Sequence, residues 1–141
     1  MNRIKLIVCA DDRGGYLFHH RRVSFDKVVT EDILHSVGDE NTLWMSPYTA
    51  GLFHEAEHLN ICVDDACMSL AGLNDYCLIE ENIDHNIWMN VQEIILYKWN
   101  RIYPYDTACP IEEIQKQFSM VHTEDLQGNS HQKITKEVYS R

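Results

Sequence analysis

The chain of 141 residues lacks most of the features that would narrow its class at once. No apolar run approaches the about 18 residues that a membrane-spanning helix needs. Its start, MNRIKLIVCADD, turns acidic too soon after a short apolar stretch to read as a signal peptide. Bases are scarce: 12 Lys and Arg stand against 22 Asp and Glu, a net charge of −10. That balance works against non-specific hold on a phosphate backbone. No Pro-, Gly- or Ser-rich linker, repeat or low-complexity tract divides the chain, so a single domain over 1–141 is expected. Cysteine is present but unpatterned: Cys9, Cys62, Cys67, Cys77 and Cys109 make an odd set with no C-x-x-C pair. Such a set reads as reduced, mostly buried thiols, not a disulfide frame or a zinc knuckle. These absences point to a cytoplasmic protein without membrane or nucleic-acid partners; the oligomeric state is not legible.

What is present is ordinary for a globular domain, with 45% hydrophobic and 24% charged residues. IKLIVCA is a continuous apolar run ended by Asp11-Asp12 and Gly14-Gly15, a buried strand and then a turn. SFDKVVTEDILHSVG sets Val28, Val29, Ile33 and Val37 at helical spacing, with Ser24 as the expected cap, Asp26 in the first turn and Gly38 as the stop. TLWM, LNICVDD, DYCLIEE and IILYKW read as further strands. Ser46-Pro47 opens a helix through YTAGLFHEAEH, and NIWMNVQEI reads as another. FSMVHTEDL and HQKITKEVYSR read as a terminal hairpin about the turn QGNS. Strands alternating with helices and closing on a hairpin imply an α/β fold with a mostly parallel sheet and an antiparallel edge.

Two clusters carry chemistry. HEAEH at 54–58 matches H-E-x-x-H, which on a helix would bring His54 and His58 to one metal with Glu55 as base. No downstream third histidine follows at metalloprotease spacing, and a His- and Glu-rich surface helix end accounts for the same letters. The expectation is therefore no metal. The second cluster is His19, His20, Arg21 and Arg22. Arginine forks suit carboxylates and phosphates, and histidines exchange protons near neutral pH. A solvated loop whose arginines pair with acids such as Asp11 and Asp12 is the competing account. The remaining histidines, His35, His85, His122 and His131, read as surface residues, and Trp44, Trp88 and Trp99 as core.

Over the C-terminal third, Leu96, Tyr97, Asp106, Thr107, Pro110, Glu137, Val138, Tyr139 and Arg141 fall at the spacing of an L-Y strand, a D-T-x-x-P turn and a closing E-V-Y-x-R. This resembles the end of dihydrofolate reductases, and IKLIVCADDRGG, NTLWMSPYTAGLF and NICVDD resemble earlier segments of that family in order. The resemblance implies a dihydrofolate reductase-like three-layer fold and makes Asp26 the counterpart of the family's acid. It also implies a mobile flap carrying His19, His20, Arg21 and Arg22. The family's phosphate-binding arginine falls at Pro47, with Met45 and Thr49 matched. Its Gly-Gly falls near LIEENID, where Glu80 and Glu81 add side chains and negative charge, and its later threonine falls at Trp99. Ser46 and Thr49 remain as the expected cofactor contacts, toward an NADPH whose binding motifs are degraded.

The implied protein binds a small anionic or heteroaromatic ligand, as a reductase with altered cofactor use. Asp26 and His20 would be its catalytic residues, and His19, Arg21 and Arg22 would hold the substrate. Three other readings stay open. One is a metal-independent phosphodiester hydrolase using the two histidines and two arginines. The others are a non-catalytic sensor or interaction module, and a zinc metalloprotease through HEAEH.

Overall fold

The structure, a computed structural model, describes residues 3–53 and 60–141. The zinc reading at His54, Glu55 and His58 lies outside the described residues. Strands β1 (Ile4–Ala10), β4 (Leu43–Met45), β5 (Ile61–Val63), β6 (Tyr76–Leu78), β7 (Val91–Lys98), β9 (Ser119–Leu126) and β10 (Ile134–Ser140) form one sheet in the order β5-β4-β6-β1-β7-β10-β9. The first five of that order run parallel, while β10 lies antiparallel to both β7 and β9. The expected α/β architecture with an antiparallel C-terminal hairpin is what the chain adopts.

Both faces of this sheet are covered, which is why IKLIVCA and IILY read as continuous apolar runs. Side chains alternate along β7: Ile94 and Leu96 join Leu6, Val8, Trp88, Ile114 and Phe118 on one face. Ile95 and Tyr97 join Ile7, Val29, Ile33, Val37 and Trp99 on the other. Helix α1 (Lys27–Val37) supplies Val29, Ile33 and Val37 at spacings of four, one buried stripe per turn. Each such side chain contributes about 2 kcal/mol when withdrawn from water. Gly38, at φ 75°, ends α1 as expected, its N–H donating to the Leu34 carbonyl.

Several local readings are corrected. The cap of α1 is Asp26, whose side chain accepts from the Val28 amide; Ser24 lies two residues before that cap and turns elsewhere. The helix opened by Ser46-Pro47 is α2 (Pro47–Ala50), followed by a 3₁₀ turn over Gly51–Phe53. The NIWMNVQEI segment is helical only over α4 (His85–Trp88), because Val91 already pairs with β1. Two short helices had no sequence reading, α3 (Cys67–Leu70) and α5 (Ile111–Gln117). The basic loop is a hairpin, β2 (Gly15–Phe18) and β3 (Arg21–Arg22), which pairs with β8 (Thr107–Ala108) in a small second sheet.

Candidate functional site

The carboxyl ends of β1 and β6 and the start of α1 bound a small cleft. Its walls are apolar at Val29, Ile33, Leu52, Leu78 and Trp99, and its polar residues include Arg22, Ser24, Asp26 and Glu80. This is where open α/β sheets hold ligands, since strand ends and crossover loops diverge there. Of the basic cluster, only Arg22 reaches the cleft among the described lining residues. His19 and His20 form the exposed tip of the β2–β3 hairpin in left-handed backbone, at φ 50° and 65°. The His19 amide donates to Asp106, at 3.0 Å, and Arg21 is exposed. The structure thus brings Arg22 and Asp26 to one site and leaves His19, His20 and Arg21 outside its lining.

Arg22 is already engaged. Its Nε and Nη2 donate to the two oxygens of Glu80 at 2.9 and 3.1 Å, and its guanidinium stacks on Tyr48 at 4.4 Å. A bidentate, part-buried pair of this kind is the strong form of the interaction. The pairing acid is Glu80, not Asp11 or Asp12. Thr49 Oγ1 donates to the same Glu80 carboxylate at 2.9 Å, and Ser46 Oγ accepts from the Thr49 amide at 3.3 Å. Both residues expected at a cofactor therefore serve a network centred on Glu80. Cys9, also in the lining, has its thiol pushed well up by burial and then by Glu80, which leaves it protonated and a poor nucleophile.

Asp26 is 2% exposed and accepts six hydrogen bonds. Oδ1 takes the amides of Val28 and Asn129, both at 2.9 Å. Oδ2 takes the Ser130 amide and hydroxyl, the His131 amide, and His131 Nδ1 at 2.9 Å. Burial alone would raise its pKa, but hydrogen bonds from Asn129, His131, Ser130 and Val28 overcome this and hold the carboxyl well below its usual range. Asp26 is thus a permanent anion that ties the start of α1 to the β9–β10 turn. Gly128 makes the approach possible: a Cβ there would lie 2.5 Å from the His131 carbonyl and 2.7 Å from Asp26 Oδ2.

His131, expected on the surface, is buried at 5% exposure and stacks on Trp99 with ring centroids 4.7 Å apart. Because ionised Asp26 only accepts, His131 Nδ1 carries the proton there, and in the neutral ring Nε2 is then the acceptor. Nε2 faces Ser24 Oγ at 2.8 Å, with the Tyr103 hydroxyl at 3.4 Å. Sequence reading missed His131, Ser24, Tyr103 and the role of Glu80. Ser24 and His131 lie 107 positions apart, so no local motif joins them. The one available signal was the turn GNS immediately before His131, which a reductase-type order sets beside the first helix. No group of three His, Cys, Asp or Glu able to hold a metal occurs among the described residues. No described helix is long and apolar enough to cross a membrane.

No family model matches the chain, and no curated protein matches it. Among solved structures it is similar to dihydrofolate reductase from Enterococcus faecalis, complexed with NADP(H) and RAB-propyl. That likeness has a TM-score of 0.66 over 99% of this chain and 96% of that one, at 11% identity. At such identity the likeness shows the fold, and the fold is dihydrofolate reductase-like. The nicotinamide dinucleotide that this fold implies does not fit the residues present. At the position where the sequence resemblance sets the family's Gly-Gly, Glu80 and Glu81 bring carboxylates, which oppose a pyrophosphate, and the cation beside them, Arg22, is paired with Glu80.

Proposed function

We propose that this chain uses a reductase-type cleft to bind a small, uncharged or weakly basic heteroaromatic molecule, without a nicotinamide cofactor. The observation that carries this is the state of the cleft's charges. Arg22 is bonded to Glu80, and Asp26 is saturated by six donors. Arg22, the one cation among the described lining residues, is paired with Glu80, and burying an anion against Asp26 and Glu80 would be opposed. The walls are apolar at Val29, Ile33, Leu52, Leu78 and Trp99.

The test is thermal-shift and tryptophan-fluorescence titration with 2,4-diaminopyrimidine, a pteridine, folate and NADPH. Saturable binding of the uncharged rings should raise the melting temperature by mass action, with no shift from NADPH. Saturable NADPH binding without any response to the heteroaromatic rings would reverse the proposal.

A further inference from the structure

Ser24, His131 and Asp26 stand in a chemically ordered chain: hydroxyl to Nε2 at 2.8 Å, and Nδ1 to carboxylate at 2.9 Å. We infer that this chain is a nucleophilic relay that hydrolyses small carboxylic esters entering the cleft. Ser24 is half-buried and lines the cleft, His131 lies behind it, and Asp26, which also borders the cleft, has its side chain shielded from water. That is the division of labour acyl transfer requires: an accessible nucleophile, a base within hydrogen-bond reach, and a third group that orients the base. Asp26 cannot take up a proton at working pH, so it fixes the tautomer of His131 and stabilises the imidazolium that forms. It acts through His131 and is a positioning residue. Stacking on Trp99 holds the ring plane. Cys9, the other potential nucleophile of the lining, is kept protonated by burial.

The reaction balances without any further reagent. Ser24 Oγ bonds to the ester carbonyl carbon as its proton passes to His131 Nε2. The bond from that carbon to the alkoxy oxygen then breaks, and the departing oxygen takes the proton from Nε2 as an alcohol. Water next gives a proton to Nε2 and its oxygen to the acyl carbon. The Oγ–carbon bond breaks, Ser24 regains its proton, and a carboxylic acid leaves. Arg22 is the only cation among the described lining residues, and its Nη1 takes no part in the Glu80 and Tyr48 bonds. It is the group suited to the negative charge that develops on the carbonyl oxygen.

This inference shares the cleft with the ligand proposed above but does not rest on it. Folded protein is treated with diisopropyl fluorophosphate, and the adduct is located by mass spectrometry; turnover of p-nitrophenyl butyrate is followed in parallel. The expected result is one phosphoryl group, on Ser24, and turnover reduced about 100-fold or more in Ser24→Ala and His131→Gln. A folded wild type that carries no label on Ser24, or Ser24→Ala that turns over the ester as fast as wild type, overturns the inference. Those two measurements decide the matter even where His131→Gln fails to fold. A chain that labels at Ser24 but binds no pyrimidine or pteridine reverses the ligand proposal alone; one that binds them without labelling reverses this inference alone.

Discussion

Replacing Asp26 by Asn separates an acid that works on a ligand from an anion that holds the fold. Asn keeps one carbonyl oxygen, which can stay with the Val28 and Asn129 amides. Its NH₂ must then face the Ser130 amide at 2.8 Å and the His131 amide at 3.2 Å, both of them donors. His131 can adapt by moving its ring proton, but backbone amides cannot. Each hydrogen bond to a buried charged group contributes about 1.5–3 kcal/mol, and an orphaned donor costs about 1–3. With two amides orphaned and charge assistance lost at the rest, the structure implies about 3 kcal/mol of destabilisation. For a domain of this length that is a fall in Tm of about 10 °C. Urea unfolding followed by circular dichroism measures it. A proton-donating acid held in strain for function would instead gain stability on neutralisation. A change below about 1 kcal/mol, or an increase, refutes the reasoning. The sign of the pH dependence follows from the same contacts. Asp26 has a folded pKa depressed below the unfolded value of about 3.9. Its contribution is whole above that pH and is lost as pH falls toward the folded value, so wild-type stability drops below about pH 4 more steeply than that of Asp26→Asn.

Gly128→Ala should cost about 2–3 kcal/mol by urea unfolding, because its Cβ meets a backbone carbonyl and the Asp26 carboxylate well inside contact distance; an effect under about 0.5 would show that the turn has room to move. A double-mutant cycle of Arg22→Ala and Glu80→Ala should give a coupling of about 1–2 kcal/mol, as part-buried bidentate geometry requires; coupling near zero would mean the pair is no stronger than a surface contact. Thiol titration of native protein at pH 8 should find Cys9, Cys67, Cys77 and Cys109 slow, since burial pushes all four up, Cys67 to about 11 and Cys109 to about 12. Five thiols reacting quickly before unfolding would contradict that packing.

The sheet was legible because its strands bury both faces. IKLIVCA and IILYKW are apolar without interruption, and the order of segments supplied their neighbours. Short elements escaped where their signals compete. NIWMNVQEI has helical spacing through Trp88, but Val91 pairs with Ile4 and strand wins. Asp26 and Ser24 both suit a helix cap, and local sequence cannot choose between them. The choice is made by His131, which occupies Ser24 from a hairpin more than a hundred residues away. His131 read as surface for the same reason: a histidine in a polar turn is buried only when a distant carboxylate and aromatic ring receive it. The basic cluster was visible, but its division was not. Two-residue alternation in a hairpin sends Arg22 inward to Glu80 and leaves Arg21 outside.

That division changes what sets affinity in the cleft. An anion site gains from unpaired cations, and its binding weakens steeply as salt screens them. Here Arg22 is neutralised by Glu80 and braced by Tyr48, Glu80 is held by Thr49, and Asp26 is neutralised by its own donors. Ligand binding must then come from apolar area at Val29, Ile33, Leu52, Leu78 and Trp99, at about 25 cal/mol per Å² removed from water. Such binding is nearly indifferent to ionic strength, and its heat-capacity change is negative. Calorimetric titration of a bound pyrimidine or pteridine between 50 and 500 mM salt, values of about one decade chosen to span the screening range, should move Kd by less than about twofold. A tenfold loss would mean that Arg22 leaves Glu80 to meet the ligand, and the charge argument for an uncharged ligand would fall with it.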